Sequence, residues 1–290
     1  MRWWVGSVLA GLLILGQVSG AAAAGVVNPA SGATLYVQTL VPAGWNGERL
    51  PTLVLVPGGN GDSTIFTGGG RAQQLANAGF VVVVFDPDGR GKSGGVEDYG
   101  GFIQQDGLRA VIEAARAHPA VDPGRIGLVS NSYGVTMAAG VLARYPEMGV
   151  RFLIDWEGPI DRTDTAGCDG ARGGHLRMVA ACDDEAFWQQ REAITFIASI
   201  GVPYQRMQSE RDHVQPDVLH AVRIVNAAVA AEVPWVRLND YPPNQTYRLD
   251  DPPAMAPDTQ DRRREATIAR YANELFALDC RAGCRGSVTR

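Results

Sequence analysis

The sequence predicts an α/β protein whose central, mostly parallel sheet is covered by helices on both faces. Three observations carry this. Apolar strand-like runs alternate with helical segments along the chain, the order that builds a parallel sheet. Phe80-Val81-Val82-Val83-Val84-Phe85 is apolar without alternation, as a strand buried on both faces must be. And Arg125–Val129, a β-branched run, stops at Ser130-Asn131-Ser132-Tyr133-Gly134 and continues as a helix. Such a sharp strand-to-helix turn holds a serine hydroxyl clear of the sheet and needs small residues on both sides. Ser130 stands where a first glycine is usual, a mild departure because serine is small.

In chain order, Thr34–Val41 and Thr52–Val56 read as strands separated by the turn-rich Pro42–Gly47. The glycine-rich Pro57–Ser63 follows. Arg71–Ala78 reads as a helix ended by Gly79, and Gln105–His118 as an amphipathic one. The turn's helix is Val135–Tyr145, and Phe152–Trp156 is the next strand. Asp161–Glu185 is a polar, loop-like insertion. Phe187–Ile200 is expected as one helix, then Pro203–Met207, Leu219–Ala231 and Pro234–Leu238 as strand, helix, strand, and Thr259–Leu278 as a closing helix. Ligands of such sheets bind at the carboxyl ends of the strands, where the serine turn and the glycine loop fall.

The chain has 290 residues and a net charge of -5. That suits one large domain and argues against nucleic acid as a partner. Met1-Arg2, the apolar Val8–Leu15 and the alanines at 21–24 read as a secretory signal peptide over residues 1–24. The domain is then 25–290, with no membrane span after cleavage and a secreted or periplasmic location. Export makes the four cysteines readable as disulfides. Cys168 with Cys182 and Cys280 with Cys284 is the simplest pairing; linking the insertion to the C-terminal segment is the alternative. No histidine pattern of a zinc site adjoins them. The acids of 161–185 match no calcium loop and read as solvated carboxylates, so no metal or cofactor is expected. Gly91-Lys92-Ser93 lacks the glycine a nucleotide loop needs, since Asp86 occupies that position.

Four segments, taken in order, resemble the α/β-hydrolase family: Leu53–Gly59, the turn Asp86-Pro87-Asp88-Gly89-Arg90-Gly91-Lys92-Ser93, the elbow at Ser132, and Ser209–Pro216. The resemblance implies a serine hydrolase with Ser132 as nucleophile. Tyr133 N–H and Gly59 or Asn60 would then form the oxyanion hole, with Asp212 as the acid. It also implies a histidine after the last strand, yet Asn239–Thr246 contains none. Of His118, His175, His213 and His220, His213 is the best placed for the base. Adjacent side chains diverge, so Asp212 orients its neighbour poorly, and Asp155 or Glu157 becomes the reserve acid. The expected activity is cleavage of carboxylic esters, with no gating domain to favour peptides. A short-peptide hydrolase and a non-catalytic binding protein of the same fold are the alternatives.

Overall fold

The computed structural model describes residues 22–170, 179–257, 263–279 and 284. The chain runs β1 (Ala22–Val27), β2 (Thr34–Leu40), β3 (Leu50–Val56), α1 (Thr64–Thr67), α2 (Arg71–Asn77), β4 (Val81–Phe85) and α3 (Phe102–Ala117). Next come β5 (Val121–Asn131), α4 (Gly134–Arg144), β6 (Leu153–Trp156) and α5 (Arg162–Ala166). Then come α6 (Glu185–Trp188), α7 (Ala193–Ile197), β7 (Tyr204–Met207), α8 (Leu219–Ala230), β8 (Val236–Leu238) and α9 (Arg264–Phe276).

The strands form one sheet in the order β1-β2-β4-β3-β5-β6-β7-β8. β2 is antiparallel to both β1 and β4, and every pair from β4 to β8 is parallel. Strand side chains alternate between faces, and the core divides accordingly. Val54, Val56, Val81, Val83 and Leu128 pack with α3, α4, α7 and α8. Leu53, Leu55, Val82, Val84 and Val129 pack with α2 and α9. All five residues of β4 are buried, which accounts for its unbroken apolar run.

One expectation needs adjustment, and two others fall partly outside the described residues. Ala22–Val27 pairs with β2 as an edge strand, and residues 1–21, which hold most of the expected signal peptide, lie outside the described residues. Phe187–Ile200 is not one helix but α6 and α7, interrupted where Glu192 turns extended. At that break the Arg191 guanidinium donates to the Asp98 backbone and side chain, while Glu192 pairs with Arg162. The closing helix is described only from Arg264, because residues 258–262 lie outside the described set.

In the insertion, Cys168 and Cys182 are disulfide-bonded as expected. Cys284 is disulfide-bonded too, and Cys280 lies outside the described residues. Several of the insertion's acids serve the fold. Asp161 caps α5 and pairs with Arg223, Asp184 caps α6, and Glu185 pairs with Arg162. Among the described residues, no helix is long and apolar enough to cross a membrane.

Candidate active site

β5 ends at Asn131, and Ser132 takes φ +50°, a left-handed conformation uncommon outside glycine. The turn is held from three sides. Ser132 N–H donates to Trp156 O at 2.8 Å, tying it to the end of β6. Gly134 lies so close to β3 that a Cβ there would sit 2.6 Å from Val56 O. A Cβ on Gly58 would sit 2.2 Å from Asn131 O, so the glycine loop abuts the turn. Ser130, in place of the usual glycine, is fully buried with its hydroxyl 3.3 Å from Asp155 Oδ1. The substitution is accommodated because a polar partner lies on the next strand.

The residues brought to Ser132 come from two neighbouring strand ends. Ser132 Oγ and His213 Nε2 are 2.9 Å apart, and His213 Nδ1 is 2.9 Å from Glu157 Oε2. With Nδ1–H donated to the carboxylate, the Nε2 lone pair faces the serine hydroxyl, the tautomer a general base requires. The His213 ring stacks on Trp156, centroids 4.7 Å apart and planes 20° from parallel. Glu157, just past β6 with φ +49°, accepts from Ser209 N at 3.0 Å and from the Ser209 hydroxyl through Oε1. Burial opposes its ionisation, but the hydrogen bonds from His213 and Ser209 outweigh that and hold its carboxyl below the ordinary value.

Asp212 is placed differently from the expectation. Its Oδ1 accepts Val214 N at 2.8 Å and Gln215 N at 2.7 Å, capping the turn that follows, and lies 3.6 Å from His213 Nδ1. Its Oδ2 is 3.0 Å from Gln208 Nε2 and 3.2 Å from His220 Nε2. Glu157 rather than Asp212 is thus the carboxylate within hydrogen-bond distance of His213 Nδ1. Consecutive side chains diverge from the backbone, and Asp212 is turned inward to its own loop. Burial would raise its pKa, but His220, Gln208 and the Gln215 amide hold it well below the usual carboxylate range.

Of the other histidines, His118 accepts Ala120 N at 3.2 Å in a turn after α3, and His220 is buried on α8. His175 lies outside the described residues. Asp155, the other reserve acid, is fully buried, 2.6 Å from Arg206 and 2.8 Å from the Tyr204 hydroxyl. It supports the strands beneath the site and does not reach His213.

Tyr133 N–H stands at the opening of α4, where helical donors have no acceptor within the helix. Gly59 (φ +52°) and Asn60 are exposed on the loop that abuts Ser132. The Tyr133 ring is buried against Ala166, Ala180 and Trp188, and its hydroxyl donates to Tyr99 O. Trp188 thus packs against the elbow, and Tyr204 is buried in the strand network. Gln215 Nε2 also donates to Asp164 O, so the insertion grips both the elbow and the histidine loop. Ligand atoms of Glu157, Asp212 and His213 lie within 4.8 Å of one another. This is the one cluster among the described residues with the spacing to hold a metal, and its imidazole already bridges Ser132 and Glu157. Ser209 and Arg206 were not foreseen. Arg206 donates to Asp155, Gly158 O and Gln208, directly behind Glu157. Its signal was an arginine inside Tyr204–Met207, a strand buried along its whole length, Arg206 included.

A family profile described as X-Pro dipeptidyl-peptidase (S15 family) matches residues 31–171. Dipeptidyl peptidase 4 of Porphyromonas gingivalis is similar in structure, with TM-score 0.65 and 17% identity over 88% of this chain and 35% of its own. An esterase of Pyrococcus furiosus is similar with TM-score 0.63 and 16% identity, over 89% of this chain and 91% of its own. This chain has the α/β-hydrolase fold. A dipeptidyl aminopeptidase IV of Bacteroides ovatus also matches, with TM-score 0.61 and 19% identity over 83% of this chain. The chain spans about a third of the length of these two peptidases, 33% and 35%. Against the layout that the sequence resemblance implies, both side chains lined up on Ser132 stand one strand earlier: the Glu157 carboxylate at the end of β6 and the His213 imidazole after β7.

Proposed function

We propose that this chain is an exported serine hydrolase that cleaves carboxylic esters through an acyl-enzyme on Ser132. The observation that carries the reading is the unbroken line Ser132 Oγ–His213 Nε2, His213 Nδ1–Glu157 Oε2, each 2.9 Å. His213 Nε2 takes the hydroxyl proton as Oγ bonds to the ester carbonyl carbon. The negative charge on the carbonyl oxygen is received by Tyr133 N–H and a second donor from Gly59 or Asn60. A single such donor is worth about 10²–10³ in turnover. The imidazolium, held by Glu157, then gives its proton to the departing alkoxide as the C–O bond breaks. A water deprotonated by the same nitrogen attacks the acyl carbon, and the acid leaves with Ser132 restored.

Esters are favoured over peptides because likeness to the esterase runs through 91% of that chain, and likeness to the peptidases through about a third of theirs. The S15-family match supports a short-peptide substrate as the second reading. The chemistry is shared, with an amine leaving in place of an alcohol. Net charge -5 fits neither polyanion binding nor a nucleic-acid substrate. The Cys168–Cys182 disulfide supports a secreted or periplasmic location, since such bonds persist in oxidising compartments.

The test is hydrolysis of p-nitrophenyl acyl esters and of X-Pro and aminoacyl amides side by side. Ester turnover with an initial burst, abolished in Ser132→Ala, is expected. Faster amide turnover would transfer the reading to peptides. Folded protein that turns over neither, with or without Ser132, would overturn it.

A further inference from the structure

Asp212 is more than a loop anchor. Its side chain is fully buried and its Oδ1 stands 3.6 Å from His213 Nδ1, on the nitrogen that Glu157 already contacts. Two carboxylates from different elements thus converge on one imidazole. Glu157 makes the hydrogen bond, and Asp212 supplies a second negative charge at little more than hydrogen-bond distance. His220 Nε2, on α8, is 3.2 Å from its other oxygen, and Gln208 donates to that oxygen at 3.0 Å. Gln208 is in turn held by Arg206 at 2.7 Å, and Arg206 by Asp155. A buried polar chain therefore runs from the strand under Ser132 to the carboxylate beside the base.

We propose that Asp212 is a positioning residue for the reaction: a second carboxylate that stabilises the His213 imidazolium, kept in place by His220 and Gln208. The inference rests on the proposed function. When His213 takes the serine proton, positive charge appears on a ring flanked by Glu157 and Asp212, and both stabilise it. The charged and titratable groups around that ring include Glu157 at the end of β6, Asp212, Arg211 and Glu210 from its own loop, and His220 of α8 behind Asp212. Arg206 of β7 lies behind Gln208, and Arg264 of α9 lies 4.5 Å from the Trp156 ring on which His213 stacks. Arg206 and Arg264 oppose imidazolium formation and Glu157 and Asp212 favour it; these two carboxylates are the nearer.

Asp212→Asn removes the charge and keeps the oxygen that accepts from Val214 and Gln215, at the cost of the Gln208 hydrogen bond, because its amide nitrogen then faces the Gln208 donor. The imidazole titration of His213, followed by NMR, is expected to fall by about one unit in this variant. The acidic limb of kcat/KM is expected to move down by the same amount. A purely structural Asp212 would lower activity and leave both in place, and that result would overturn the proposal. Glu157→Gln asks the same question with Asp212 intact, should the first variant not fold. Turnover about 10- to 100-fold below wild type is expected there, against roughly 10⁴-fold when an imidazole loses its only carboxylate. Activity at the level of Ser132→Ala in Glu157→Gln would overturn it. The NMR titration needs no turnover, so a protein without hydrolase activity would sink the proposed function and still decide this point.

Discussion

The loops leaving β7 and β8 start side by side and have opposite duties. The β7 loop brings His213 to the Ser132 hydroxyl, with Asp212 beside it. The β8 loop, where the family's histidine is usual, begins with Asn239, whose side chain works entirely inward. Its Oδ1 accepts Gln208 N and its Nδ2 donates to Gln208 O, both at 2.8 Å, from a backbone at φ +47°. In effect the amide extends the ladder by one residue and braces the first position of the β7 loop. On the proposed reading, a base is defined by reach to the hydroxyl and by the carboxylate behind it, whichever strand supplies it. The chain order of serine, carboxylate and imidazole is kept because Glu157 and His213 both stand one strand earlier than the resemblance implies.

The comparison can be broken most severely at His213. His213→Ala is expected to lower kcat by about 10⁶, as loss of the base does in a serine protease; a loss below tenfold would mean the base lies elsewhere. It is sharpened by adding Asp240→His to that variant, which puts an imidazole back on the β8 loop. No rescue is expected, because Asp240 faces Arg270 of α9 at 2.8 Å rather than the nucleophile. Recovered ester hydrolysis would show the two loops to be interchangeable.

A smaller effect is expected at the brace. Asn239→Ala removes two buried hydrogen bonds, at about 1 kcal/mol each, and puts alanine in a left-handed conformation for another 1–2 kcal/mol. Urea unfolding should therefore show a loss of about 3 kcal/mol, with kcat falling and KM nearly unchanged as the β7 loop loosens. Full stability would mean the β8 loop does not support its neighbour.

The smallest effect concerns acid stability. Glu157 and Asp212 have carboxyl pKa values depressed by folding. Their stabilisation is complete above the unfolded values near pH 4 and is lost as pH falls through the folded ones. The urea midpoint should drop below about pH 4, and less steeply in Asp212→Asn than in wild type. Equal slopes would show that the β7-loop carboxylate is not linked to folding.

Much of this was legible in the residues. Strand alternation and the Phe80–Phe85 run gave the layers, and the small-residue turn gave Ser132. The absence of histidine from Asn239–Thr246 led to His213 by elimination. The choice between Asp212 and Glu157 was not legible, because it depends on which carboxylate faces Nδ1 across two strand ends. Ser209, which holds Glu157, was hidden for the same reason: an isolated serine announces nothing until its partner is in place. β1 was obscured because alanines suited to a cleavage site also form a strand. The split between α6 and α7 follows from long-range pairing of Arg191 and Glu192, which helical periodicity does not register.

Covalent capture by a fluorophosphonate, located by mass spectrometry and timed in wild type and His213→Ala, tests the central claim most directly. The account predicts an adduct on Ser132 that forms readily in wild type and is slowed by orders of magnitude without the imidazole. An unmodified Ser132 in folded wild-type protein, or capture at the same rate in both, would contradict it.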